Sequence, residues 1–135
     1  MNASENPRRR RLLSVDDNSD SAELVARIAA KCGYDTQALA RLTLLCDALE
    51  TWKPEVLTLD LCMPEEDGIS IFSMLADAGF KGDLIIISGQ DDWLRKAAHR
   101  LASARGLKVA GDLAKPVDLT ALRELLTKLQ TAPVA

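Results

Sequence analysis

Asp60 closes the apolar run Val56-Leu57-Thr58-Leu59 and is followed by Leu61-Cys62-Met63-Pro64-Glu65-Glu66-Asp67-Gly68. A strand of apolar and β-branched residues is buried on both faces, so a carboxylate at its end emerges where a parallel sheet opens into its ligand crevice. Three other apolar runs end in the same way: Leu12-Leu13-Ser14-Val15 in Asp16-Asp17, Leu84-Ile85-Ile86-Ile87 in Ser88, and Val109 to Ala114 in Lys115-Pro116. Three carboxylates, a hydroxyl and an ammonium then converge on one sheet edge, a set placed for polar chemistry. Taken singly, each has a plainer reading: a strand-end Asp caps or turns, Ser88-Gly89 forms a strand-to-helix turn, and Lys115 is solvated.

The elements that must position this set alternate along the chain. Val25, Ile28, Ala29 and Cys32 recur at helical spacing, as do Ile71, Met74, Leu75 and Ala78. Leu42, Leu45, Leu49 and Trp52 predict another helix, and Leu94, Ala97, Ala98 and Leu101 a fourth within an unbroken Asp91 to Arg105 segment. Leu122, Leu125, Leu126 and Leu129 predict a fifth, behind the N-cap Asp118. Gly33 and Gly106 sit where helices would end, and a weak strand spans Tyr34 to Leu39. Strand and helix alternate five times, which predicts an α/β fold: a parallel, doubly wound sheet with helices on both faces.

The chain has 135 residues and a formal net charge of −3. That length suits one domain, and the acidic balance argues against direct nucleic-acid binding. Three widely spaced cysteines support neither a disulfide framework nor a zinc site, and the absence of a long apolar segment argues against secretion and membrane spanning. A cytoplasmic location is expected. Residues 1–10, with the Arg8 to Arg11 run at their end, read as a solvated N-terminal tail, 11–130 as the domain, and 131–135 as a C-terminal tail or the start of a linker.

Together, Asp16-Asp17, Asp60 with Met63-Pro64 and Asp67-Gly68, Ser88-Gly89 and Lys115-Pro116 resemble the receiver domain of two-component response regulators. The resemblance implies a CheY-like, flavodoxin-like sheet of five strands in the order 2-1-3-4-5 with five helices. It implies Asp60 as phosphoacceptor from a histidine kinase or phosphotransfer protein, the domain catalysing only its own phosphorylation and dephosphorylation. It further implies Mg²⁺ or Mn²⁺ held by Asp17, Asp60 and the Cys62 backbone carbonyl, with Asp16 acting through a water. Lys115 and Ser88 would meet the phosphoryl oxygens as switch residues. Pro116 would give a cis peptide that aims the lysine, and Asp67-Gly68 would turn and cap the next helix. The output domain or partner stays open, a cyclic-di-GMP phosphodiesterase being one candidate, and so does homodimerisation.

The chain also departs from the family. Asp112 stands three residues before Lys115, where receivers commonly carry a switching aromatic, and the segment from Ser88 to Lys115 is longer than usual. His99, beside Arg95, Lys96 and Arg100, reads as part of a solvated helix face, and Trp52 and Trp93 as core or rim residues. A haloacid-dehalogenase-type phosphatase would also use a strand-end Asp nucleophile with Mg²⁺, but its second Asp falls at Cys62. A flavin binder would need a phosphate-cradling Gly/Ser/Thr-rich loop, which is missing after Val15 and Leu59.

Overall fold

The computed structural model describes residues 9–61, 68–89 and 91–131. Its strands are β1 (Arg11–Val15), β2 (Asp35–Leu39), β3 (Val56–Asp60), β4 (Asp83–Ser88) and β5 (Lys108–Ala114). They form one sheet of order β2-β1-β3-β4-β5 in which every pairing is parallel. Between them run α1 (Ser19–Lys31), α2 (Leu45–Thr51, entered through a 3-10 turn at Leu42–Leu44), α3 (Gly68–Asp77), α4 (Asp92–Ala104) and α5 (Leu119–Thr131).

The period of two along each strand sorts the core into two layers. Leu12, Val56, Ile85 and Ile87 meet Val25, Ile28 and Ala29 of α1 and Leu122 and Leu126 of α5. On the other face Leu13, Val15, Leu57, Leu59, Leu84 and Ile86 meet Leu45, Ile71, Phe72, Leu75 and Ala102 from α2, α3 and α4. Side chains of this size stabilise by about 1.5–3 kcal/mol each when fully buried, so the two layers make the sheet a rigid frame for its ends.

Helix starts follow the local chemistry. Asn18 accepts from the Ser21 amide at 3.0 Å, Asp91 from Leu94 at 3.1 Å, and Asp118 from Thr120 at 2.9 Å, each satisfying an amide that the first helical turn leaves open. Gly33 (φ 96°) and Gly106 (φ 86°) follow α1 and α4 in the left-handed conformation that helix ends favour.

β5 carries an irregularity. Leu84 pairs with Val109 but Ile85 pairs with Gly111, so Ala110 is an extra residue and the strand changes face beyond it. Asp112, opposite Ile86, consequently lies on the side of the sheet that α4 covers.

Several expectations are corrected. In α4 Ala98 and Leu101 of the expected stripe pack against the core beside buried Ala102, with Arg95 also turned inward, while Leu94 is 41% and Trp93 71% exposed, so Trp93 is neither core nor rim. The turn of the helix is set by Asp112, which draws Arg95 and His99 inward. His99 is accordingly half-buried and paired rather than on a solvated face. In α3 Phe72 is fully buried and Ala78 exposed, because the helix fills the sheet face with its larger ring. Arg10, assigned to the tail, docks into the fold: Nη1 donates to the Leu129 carbonyl at 2.7 Å and Nη2 to Asp83 at 3.2 Å. Arg11 begins β1, with its guanidinium 5.6 Å from the Trp52 ring centre.

Candidate functional site

The carboxyl ends of β1, β3, β4 and β5 meet at one edge. Asp60 is the last residue of β3 and only 1% exposed, Asp16 follows β1 and is also buried, and Asp17 beside it is exposed. One carboxylate oxygen from each of Asp16, Asp17 and Asp60 lies within 4.8 Å of the others. Adjacent pairing of β1 and β3 brings these residues together, with Val15 opposite Leu59 immediately before them.

Lys115 enters from the end of β5. Its Nζ donates to Asp60 Oδ2 at 2.9 Å and lies 3.3 Å from Asp16 Oδ2. Its own amide donates to the Ser88 carbonyl at 3.0 Å, tying it to the end of β4, and the Lys115-Pro116 peptide is cis. Ser88 is fully buried, and the Leu61 amide donates to the Ile87 carbonyl at 3.0 Å, so the first loop residue after Asp60 is held to the neighbouring strand. Gly68 opens α3, whereas Cys62, Met63, Pro64 and Asp67 lie outside the described residues.

Electrostatically the edge is overloaded with acid. Burial pushes the Asp16 carboxyl above its ordinary range and neighbouring Asp60 adds to this, against an opposing hydrogen bond from the Asn18 amide. For Lys115 burial acts downward, but the hydrogen bond to Asp60 and the charges of Asp60 and Asp16 outweigh it and push the ammonium up. Among the described residues three carboxylates face one ammonium, which favours a further cation, and an all-oxygen set suits a hard divalent one. A carboxylate so supported can also act as a nucleophile.

Beside this edge a cleft of about 310 Å³ is lined by Leu24, Val25, Ile87, Val117 and Leu119, with Asp16 and Lys115 on its wall. It was not anticipated, because it needs α1 and the start of α5 side by side. The sequence reading also missed the group around Asp112: Arg95 Nε donates to Asp112 Oδ1 at 2.8 Å, and His99 Nδ1 pairs with Oδ2. The four-residue spacing of Arg95 and His99 was the available signal, since it puts both on one helix face.

The family description that matches the chain is the response regulator receiver domain, over residues 12–127. The DNA-binding response regulator MtrA of Mycolicibacterium paratuberculosis is 31% identical over 65% of this chain, which spans 45% of that protein. The protein-glutamate methylesterase/protein-glutamine glutaminase 5 of Myxococcus xanthus is 30% identical over 90% of the chain, which spans 36% of it. Among solved structures, a response regulator from Colwellia psychrerythraea superposes with a TM-score of 0.79 at 30% identity, covering 90% of this chain and 96% of that one. The chain thus spans less than half the length of these two sequence relatives.

Proposed function

We propose a phosphoacceptor function for this chain, which belongs to the response regulator receiver domain family of two-component systems. The observation that carries it is Asp60, buried at a strand end, in contact with the Lys115 ammonium and beside Asp16 and Asp17. In the reaction, an Asp60 oxygen forms a bond to phosphorus while the bond from phosphorus to a donor imidazole nitrogen breaks, its electron pair staying on the imidazole. Lys115 moves its charge pairing from the free carboxylate to a phosphoryl oxygen, and the Ser88 hydroxyl donates to another. The three carboxylates fit a Mg²⁺ or Mn²⁺ ion that Asp17 and Asp60 would hold, with Asp16 acting through a water, while the Cys62 carbonyl expected to join them lies outside the described residues. When bound, that ion supplies the positive charge that lets a carboxylate and a phosphoryl group approach.

Phosphoryl donors of the expected kind are a histidine kinase or a phosphotransfer protein, and the apolar cleft between Leu24 and Leu119 offers such a partner a surface next to Asp60. The relatives that contain a matching segment carry different names, one a DNA-binding response regulator and one a methylesterase. The acidic charge of this chain supports nucleic-acid contact, where there is any, being made by another domain. No helix among the described residues is long and apolar enough to cross a membrane, and we read the domain as cytoplasmic. The family match gives the phosphatase alternative no support. Treatment with acetyl phosphate and Mg²⁺ should add one base-labile phosphoryl group, seen by intact mass, and an equal yield on Asp60→Asn would overturn the assignment.

A further inference from the structure

α4 is thinly attached by apolar contact. Its one fully buried residue is Ala102, whereas α1, of the same length, buries five. Alanine has little surface to remove from water, and Ala98 and Leu101 beside it are only partly buried, so other forces share in setting where this helix lies. The strongest of these is ionic. Asp112 on β5 is met from α4 by Arg95 Nε at 2.8 Å and by His99 Nδ1, and Arg95 Nη2 reaches Asp92 at 2.8 Å. Asp112 and Arg95 are only 18% and 11% exposed. A partly buried carboxylate with two nitrogen partners is a charge-assisted pair, and removing one side leaves the other poorly solvated.

Position gives this group its consequence. Asp112 is opposite Ile86 in the sheet, and two residues farther along Ala114 is opposite Ser88. Ser88 ends β4, and α4 begins at Asp92, so any pull on the Ser88 loop is a pull on the amino end of the helix that Asp112 holds.

We propose that Asp112, Arg95 and His99 form an ionic latch that fixes the resting place of α4 against β5, and that phosphorylation of Asp60 acts by drawing Ser88 and releasing this latch. The inference rests on Asp60 being the phosphoacceptor. Phosphate shifts the population only as far as it contacts the released arrangement better, so the strength of the latch sets how much of the domain is active beforehand. Burial pushes the Asp112 carboxyl up, yet its bonds to His99 and Arg95 prevail and hold it below the ordinary range, as expected of a carboxylate kept charged in place.

The test is hydrogen exchange of the full chain over residues 92–104, for wild type, Asp112→Asn and His99→Gln, each with and without beryllium fluoride and Mg²⁺. Asp112→Asn should speed exchange in α4 about ten-fold or more without the phosphoryl mimic, and adding the mimic should then change little. His99→Gln, at a half-exposed position, should move in the same direction by less. Unchanged α4 exchange in both unmodified variants, or an equal response to the mimic in all three proteins, overturns the latch. If Asp112→Asn also loosens β3 and β4, global stability has fallen, and His99→Gln alone decides. Phosphoryl incorporation measured by intact mass separates the two ideas. No adduct on Asp60 overturns the phosphoacceptor reading and the release step with it, while the unmodified comparison still decides whether Asp112 holds α4.

Discussion

At the carboxyl end of the sheet Asp60 is buried beside Asp16 and Asp17, with Lys115 as the cation that meets them; at the amino end Asp83, 4% exposed, is met by Arg10 at 3.2 Å and Lys108 at 3.4 Å. Both ends bury a carboxylate, and both use a lysine at an end of β5, Lys108 as its first residue and Lys115 just after its last. They differ in balance. Among the described residues, the acids Glu55 and Asp83 meet Arg10 and Lys108 at the amino end, and the Arg10 guanidinium also ties Asp83 to the last turn of α5. At the other end, among the described residues, three clustered acids meet the one base Lys115. A balanced buried group holds structure together, whereas an acid excess stores repulsion that a cation or a change of covalent state can relieve. The same residue types therefore make a clamp at one end and, in the function proposed above, a reactive site at the other.

The largest effect expected from breaking this contrast is at Asp60. Asp60→Asn keeps the shape of the site and removes the proposed nucleophile, so phosphoryl incorporation from acetyl phosphate should vanish while thermal stability holds or rises, since like-charge crowding falls. Next is Asp17→Ala, which takes one carboxylate from the acidic edge and should weaken Mg²⁺ binding by at least about ten-fold, because loss even of outer-shell partners costs that much. Trp93, 71% exposed after the Ser88 loop, gives a fluorescence signal for the titration. Unchanged affinity would move the cation elsewhere.

At the amino end the outcome should invert. Arg10→Ala leaves Asp83 buried with a weaker partner and should cost about 1–3 kcal/mol in urea unfolding, with phosphorylation and Mg²⁺ affinity as in wild type. A loss of phosphorylation in the folded variant would show that the two ends are coupled. The smallest effect concerns pH and Asp112. Its carboxyl is held below the ordinary 3.8 in the fold, so its contribution is full above 3.8 and is lost as pH falls below that value through the lower one that the fold imposes. The Tm difference between wild type and Asp112→Asn should be full near neutrality and shrink toward zero at acid pH; a difference that grows on acidification would reverse the sign argued here. The groups facing Asp112 from α4 are Arg95 and His99, with Asp92 beyond them.

The reactive end was the more legible of the two in the sequence. Asp60, Asp16-Asp17, Ser88 and Lys115 each end an apolar run, and a run that reads as a buried strand announces its own end whatever it pairs with. The helices were legible for the same reason, through a repeat that closes within two turns. Arg10 was not, because an arginine before the first strand looks like tail until β4 and α5 supply Asp83 and the Leu129 carbonyl.

What the chain determined by itself was the order of elements and the chemistry at the strand ends, since both are written in short stretches of apolar and polar residues. Tertiary structure decided which side of the sheet Asp112 would occupy. Counting by twos from Val109, which packs with the α2, α3 and α4 layer, puts Asp112 on the opposite face; the extra residue Ala110 reverses that and delivers the carboxylate to α4. Such a bulge comes from the pairing of β5 with β4, two segments separated by a whole helix, and α4 then turns Arg95 and His99 inward and Leu94 outward to meet a charge that no local pattern could have located.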